Sequence, residues 1–339
     1  MKIRKLAAIL GGSAALVAVV FVALMFIFPS RPSKPVKIPT GPAVTVLDSI
    51  RIPWDFRISE LSGLAWDADE QLLYAVSDLG HIIHFKVAIK DDRIASLEPV
   101  FYGPLTLTVG QGKFYDTEDL VATNTADGKP GNSEIAVVFE DGPAAARFTP
   151  TGTLVETIPL PAPLLDPNAY RQVNQRLESI AFTPDHGYLM APQTPLVGQS
   201  RKHHILYATD GTTWRFKASK HKRTSTKALE QMPDGSLLVL EAVNDGGFLG
   251  AIGLGGKEAR IRRLDLATCD NPKKCKAATY PTATGEPIRG RFEGIANVTG
   301  ASVVSTASPA TPPADLFLIV TDETFGAELM LLRIPSARP

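Results

Sequence analysis

Five times along this chain an acidic residue opens a short run of small and apolar residues, and each time a second apolar run follows that closes on a polar or acidic residue. The copies are Glu60-Leu-Ser-Gly-Leu-Ala-Trp with Leu73-Tyr-Ala-Val-Ser-Asp78, Glu118-Asp-Leu-Val-Ala with Ile135-Ala-Val-Val-Phe-Glu140, and Glu178-Ser-Ile-Ala-Phe with Tyr188-Leu-Met-Ala-Pro-Gln193. Two more are Glu230-Gln-Met with Leu237-Leu-Val-Leu-Glu241, and Glu293-Gly-Ile-Ala with Leu316-Phe-Leu-Ile-Val-Thr-Asp322. A repeat of this kind is one supersecondary unit that buries its apolar faces only against neighbouring copies, so it dictates the architecture of the whole chain.

Each copy continues into a third apolar run, His81 to Val87, Ala145 to Thr149, His204 to Thr209, Arg260 to Leu266 and Glu328 to Ile334. A fourth follows in most, Ile94 to Tyr102, Leu154 to Leu160 and Trp214 to Ala218. The runs are β-branched and aromatic, and Asp-Gly, Pro-Asp, Gly-Pro and Asn-Asp turns separate them. Four antiparallel strands per unit around an axis predict an all-β chain, a β-propeller of about five four-stranded blades. Six is the alternative, if the insert 301–313 hides a degenerate blade. The fifth copy runs out of chain after its third strand, and the alternating run Val44 to Ile52 is placed to supply the missing outer strand. That closure ties the two ends together and removes an exposed sheet edge. Asp166 to Gln175 is the one weak helical candidate.

Two segments of different character precede the repeats. Leu6 to Phe28 is an uncharged, mostly apolar run behind Lys2, Arg4 and Lys5, and ~20 such residues cross a bilayer as a helix. No Ala-x-Ala pattern ends it, so residues 1–28 read as an uncleaved signal anchor, a single transmembrane helix. Residues 29–42 are a proline-rich, stiff linker, and residues 43–339 form the propeller domain. The only cysteines are Cys269 and Cys275, with turn formers between them. A disulfide is the expectation, two free thiols the alternative, and zinc lacks further ligands nearby. An oxidised pair places the propeller in the periplasm, tethered to a bacterial inner membrane, or secreted if the segment is cleaved. Lys plus Arg equals Asp plus Glu at 35 each, which argues against a nucleic-acid partner.

The first strand of each blade lines the propeller axis, so Glu60, Glu118, Glu178, Glu230 and Glu293 are expected to form a carboxylate ring at one mouth. Carboxylates gathered so closely need cations, and calcium suits several carboxylate oxygens at flexible spacing. Arg57, Lys113, Arg176, Lys227 and Arg291 each precede a ring glutamate by a few residues. They are either anion-binding groups or partners in structural ion pairs between blades. Asp78, Glu140, Glu241 and Asp322 are expected as an outer acidic layer, a pattern that Gln193 breaks.

In their order and spacing these motifs resemble the bacterial phytase-like family, described by an esterase-like activity. The resemblance rests on Glu60-Leu-Ser-Gly-Leu-Ala, Tyr74-Ala-Val-Ser-Asp78, Glu118-Asp-Leu, Leu177-Glu-Ser-Ile-Ala, Lys227-Ala-Leu-Glu230, Leu238-Val-Leu-Glu241, Phe292-Glu-Gly-Ile-Ala and Val320-Thr-Asp322. It implies a β-propeller in exported bacterial proteins, named for its likeness to calcium-dependent phytases. The Asp-Ala-x-Asp-Asp-Pro-Ala type motif of propeller phytases is absent. The expected activity is calcium-assisted hydrolysis of a phosphate or carboxylate ester, with Arg176, Arg291 and Lys227 on the anion. The alternative is a non-catalytic envelope propeller that binds a ligand or protein partner.

Overall fold

The computed structural model describes residues 38–339 except 53–54, 56–57, 107–115, 220–223, 245–256, 270–273, 300, 302, 305–313, 322–325 and 337–339. The expected span 1–28 and most of the linker lie outside the described residues. Among the described residues, no helix is long and apolar enough to cross a membrane.

Alternating runs become strands that pair antiparallel with the next run in sequence. β1 (Thr45–Arg51) precedes blade one, which is β2 (Leu61–Asp67), β3 (Leu72–Ser77), β4 (His81–Lys90) and β5 (Arg93–Pro104). Blade two is β6 (Thr117–Thr123), β7 (Glu134–Phe139), β8 (Ala144–Phe148) and β9 (Leu154–Thr157). Blade three is β10 (Leu177–Thr183), β11 (Gly187–Pro192), β12 (His203–Ala208) and β13 (Thr213–Lys217). Blade four is β14 (Thr224–Gln231), β15 (Leu237–Asn244), β16 (Lys257–Leu264) and β17 (Ala277–Thr279), with β18 (Ile288–Arg289) also pairing β16. Blade five is β19 (Phe292–Asn297), β21 (Ala314–Thr321) and β22 (Glu328–Pro335), and β1 completes it by pairing antiparallel with β22. The chain is thus a five-bladed propeller closed by its N-terminal strand. The short β20 (Val303–Val304) runs parallel to Ile89 and Lys90 of β4 and extends blade one, so it starts no sixth blade.

Five apolar clusters hold the ring, one at each contact between successive blades. Strand alternation decides which cluster a side chain joins. On β3, Leu73 and Ala75 pack toward blade five with Leu318 and Val320, while Tyr74 and Val76 pack toward blade two with Ile135 and Val137. The other contacts are built the same way, Ala136 with Ile180, Ala181 with Leu229, and Ala228 with Ile295.

Cys269 and Cys275 form a disulfide, with Cα atoms 5.2 Å apart. Cys275 N–H donates to Arg215 O at 2.9 Å, and its sulfur joins the Trp214 and Phe216 cluster, so the bridge clamps a loop of blade four onto the outer strand of blade three. Cys275→Ser is expected to lower stability by ~2 kcal/mol, the loop-closure contribution of a short crosslinked loop. Denaturant midpoints with and without reductant check this, since reductant should shift the wild type to the mutant value. The stretch Asp166 to Gln175 is not an α-helix. Two 3₁₀ turns stand there and before it, Ala162–Leu164 and Pro167–Ala169, each with proline in its first turn.

Candidate functional site

Each innermost strand carries one β-bulge, at the same place in every blade: between Leu61 and Gly63, Thr117 and Asp119, Leu177 and Ser179, Thr226 and Ala228, and Phe292 and Gly294. The bulged residues are therefore structural equivalents: Ser62, Glu118, Glu178, Lys227 and Glu293. Sequence matched on acidic residues picks Glu60 and Glu230 in blades one and four. The bulge register puts Ser62 and Lys227 in those places, and Glu60 two residues before the bulge.

Three glutamates, one serine and one lysine make a compensated ring. The Lys227 ammonium bridges Glu178 of blade three and Glu293 of blade five. Gln193 Nε2, at the end of β11, donates to both Glu178 oxygens at 2.9 Å. The glutamine that broke the acidic pattern is thus bonded to the ring. In blade one, Ser62 Oγ donates to Asp78 Oδ1. Burial alone would lower the Lys227 amine, but Glu178, Glu293 and Glu118 outweigh it and hold the amine well above its usual range. Burial still raises Glu178, against the pull of Lys227.

Two residues before each bulge lies a rim, formed by Glu60, Asp116, Arg176, Ser225 and Arg291. Its register follows from the backbone: the carbonyls of Glu60, Asp116 and Arg176 accept from Asp78, Glu140 and Gln193 N–H groups at 3.0, 2.9 and 2.7 Å. Glu60 and Asp116 sit there at φ of 54° and 69°. Blade two consequently gathers three acids. Asp116, Glu118 and Glu140 each place one oxygen within 4.8 Å of the others. Burial, then the Glu178 charge, raises Glu118 well above the carboxylate range and Glu140 to about 8; burial also raises Asp116. Arg176 flanks this group, its N–H on Glu140 Oε1 at 2.8 Å and its guanidinium 3.9 Å from Asp141. Arg176 Nε is buried and meets no hydrogen-bond partner among the described residues.

Not every expected residue joins this mouth. Glu241 pairs across from Thr226, one residue before the bulge, and bonds His204 Nε2 at 2.8 Å and Ser219 N–H at 3.0 Å, with Arg262 Nη1 at 3.5 Å. Burial alone would raise its carboxyl, but these partners hold it at about 2, a buried structural anion. Its neighbour Ala242 stands where Asp78, Glu140 and Gln193 stand in other blades. Glu230 is three residues past the bulge, and its Oε1 accepts from Asn297 N–H at 3.2 Å. Arg291 is exposed at the rim. Arg57, Lys113 and Asp322 lie outside the described residues.

Below the ring the inner strands of neighbouring blades approach closely. Asp119, one residue past the bulge, accepts from its own strand at Leu120 N–H (2.9 Å) and from Ile180 N–H of blade three (3.1 Å). Blades one and five have glycine at the matching place. A Cβ on Gly63 would come within 2.7 Å of the Asp119 backbone, and one on Gly294 within 2.8 Å of Ser62 O. Blades three and four carry the small, buried Ser179 and Ala228 there, so the place leaves room for one long side chain, that of Asp119. Asp116, Asp119 and Ser62 escape a search for recurrent glutamates. Aligning the copies on their apolar residues, Ser-Gly-Leu-Ala, Glu-Asp-Leu-Val, Glu-Ser-Ile-Ala, Lys-Ala-Leu-Glu and Glu-Gly-Ile-Ala, would have found Asp119 and Ser62.

A family model described as Phytase-like, esterase-like activity of phytase, matches residues 57–304, most of the propeller. No curated protein matches the chain.

Proposed function

The chain belongs to the phytase-like family, and from that membership we propose that it is a calcium-dependent hydrolase of phosphate or carboxylate esters, working at the mouth that Glu118 and Arg176 share. The observation that carries this reading is the convergence of Asp116, Glu118 and Glu140, three carboxylates from one blade within 4.8 Å. An all-oxygen, carboxylate-rich donor set fits a hard cation such as calcium, and the raised acids mark a place where negative charge lacks compensation. When bound, the ion would supply Lewis acidity toward the ester.

The chain's own residues divide the remaining work. Asp116, Glu118 and Glu140 would hold the cation. Arg176 and Arg291, on blades three and five, would draw the ester's anionic group and orient it, since guanidinium offers paired donors to phosphate and carboxylate. Lys227 spends its charge on Glu178 and Glu293, so it sets the ring's shape rather than gripping the anion. The periplasmic, membrane-tethered placement belongs to this proposal; the Cys269–Cys275 bridge supports its oxidising compartment, and the apolar run in residues 1–28 supports its tether.

A panel of phosphomonoesters and carboxyl esters, assayed with calcium and with chelator, tests the activity. Turnover should need the metal and should fall at least ~100-fold in Glu118→Gln. No turnover with any divalent ion would leave the binding-propeller alternative standing.

Proton linkage gives a second check. Glu140 titrates at about 8 in the fold against 4.5 in the free residue. Between those values the folded state holds more protons than the unfolded one, so in chelator stability should fall as pH rises, by at most ~1.4 kcal/mol per unit. Calcium must displace those protons, so the gain in Tm from calcium should be larger near pH 8 than near pH 5. Glu118→Gln should abolish that gain while leaving stability in chelator unchanged or improved. A calcium gain that is the same at both pH values, or that survives in the mutant, would remove these acids from the metal's ligands.

A further inference from the structure

The inner strands end at a second mouth, and its chemistry differs from that of the first. Four residues past each bulge, about 13 Å further along the strand at ~3.3 Å per residue, stand Trp66, Ala122, Phe182, Gln231 and Asn297. A cavity of about 410 Å³ opens there, with Trp66, Phe182, Glu230 and Gln231 in its wall and the turn through Asp127 at its edge. Along the strands Asp119 stands between it and the carboxylate ring, and no ring residue is in its lining. The small Ala65 and Ala122 leave the space, and Phe182 is braced edge-on by Tyr188 with ring centroids 5.2 Å apart.

Two independent features point to a ligand. The lining holds two carboxyl groups, Glu230 and Asp127, and among the described residues no lysine or arginine. Trp66 Nε1 is buried with no hydrogen-bond partner among the described residues, a donor whose desolvation nothing offsets. Glu230 presents one oxygen to Asn297 N–H and keeps a second for a ligand. A carboxyl among aromatic rings is the arrangement that attracts an ammonium, through charge and through the ring faces. The orphaned indole donor asks for an oxygen acceptor on the same molecule.

We propose that this cavity is a second ligand site, which takes a small organic ammonium compound carrying hydroxyl oxygens, of the amino-alcohol or amino-sugar class. The ammonium pairs with Glu230 between Trp66 and Phe182, and a ligand oxygen accepts from Trp66 Nε1. Burial, opposed only by the Asn297 amide, lifts the Glu230 carboxyl to about 8. The charged groups around it are Asp119, which senses it across the axis, and Asp127 at the rim with Lys129 at 3.8 Å. At neutral pH an incoming cation therefore expels a proton, and affinity should rise with pH up to about 8, by as much as ~tenfold per unit.

The experiment is calorimetric titration of the full chain with glucosamine and ethanolamine, with glucose as the uncharged control, in two buffers of different ionisation enthalpy. Expected results are binding of both amines with proton release, weak or no binding of glucose, and at least ~tenfold loss of amine affinity in Glu230→Gln. That substitution keeps the acceptor for Asn297 N–H, so its melting temperature should match or exceed the wild type and its calcium response should be unchanged. This separates failure of the cavity from failure of the ring. Tryptophan fluorescence should respond to amine in the wild type and lose that response in Trp66→Phe. The proposal is overturned if neither amine binds at millimolar concentration, if glucose binds as tightly as glucosamine, or if Glu230→Gln binds unchanged.

Discussion

Asp119→Ala is expected to lower stability by ~3–5 kcal/mol, a large share of the total for a domain of this size. The carboxyl is 1% exposed and accepts from backbone amides of two blades. Inner-strand N–H groups that face the axis have no further strand to pair with, so this side chain stands in for one. Removing it strands two buried donors, at ~1–3 kcal/mol each. Asp119→Asn keeps the shape and one acceptor, and should lose about half as much. Urea midpoints of the two variants give the comparison; a loss below ~1 kcal/mol for alanine would mean that water replaces the carboxyl without cost. Gly63→Ala should also destabilise, by ~1–3 kcal/mol, because the added carbon meets backbone at 2.7 Å that cannot rotate away.

Lys227→Met is expected to cost ~3–5 kcal/mol near neutral pH in chelator, the penalty for leaving a buried charge without its partner. The side chain is 12% exposed and the partner Glu178 is 1% exposed, so solvent screens little of the repulsion that remains among Glu178, Glu293 and Glu118. The deficit should shrink near pH 5. Burial already pushes the Glu178 carboxyl upward, so once the ammonium is gone it takes up a proton more readily as pH falls and then no longer needs a cation. Denaturant unfolding of mutant and wild type at both pH values checks this. A deficit independent of pH would make the loss one of packing rather than of charge.

The blade-to-blade ion-pair reading of the basic residues is realised at Lys227, although its acids are Glu178 and Glu293 of the flanking blades. Arg176 turns instead toward Glu140 and Asp141. Both residues precede a glutamate at short range in sequence, yet one is itself a bulged ring member and the other a rim residue. Spacing alone does not separate the two cases.

What the sequence determined by itself was whatever is local and periodic. Alternation on β3, the turn residues between runs and the five recurrences specify strands, blades and their order, and the unpaired run before Glu60 supplies the closing strand. Those signals survive because the inner strands bury side chains on both faces, as β3 does toward blades five and two. Membership of the site was decided only in three dimensions. The bulge common to the inner strands fixes which residues are equivalent: Lys227 and Ser62 belong to the ring, Glu230, three residues further on, belongs to the opposite mouth, and Ala242 rather than Glu241 lies beside the ring. The same register brings Asp116 to Glu118 and Glu140, and sets Asp119 across the axis against two glycines. A bulge carries no residue signature of its own. It becomes visible only in the pairing of each inner strand with its neighbour, which the folded chain sets.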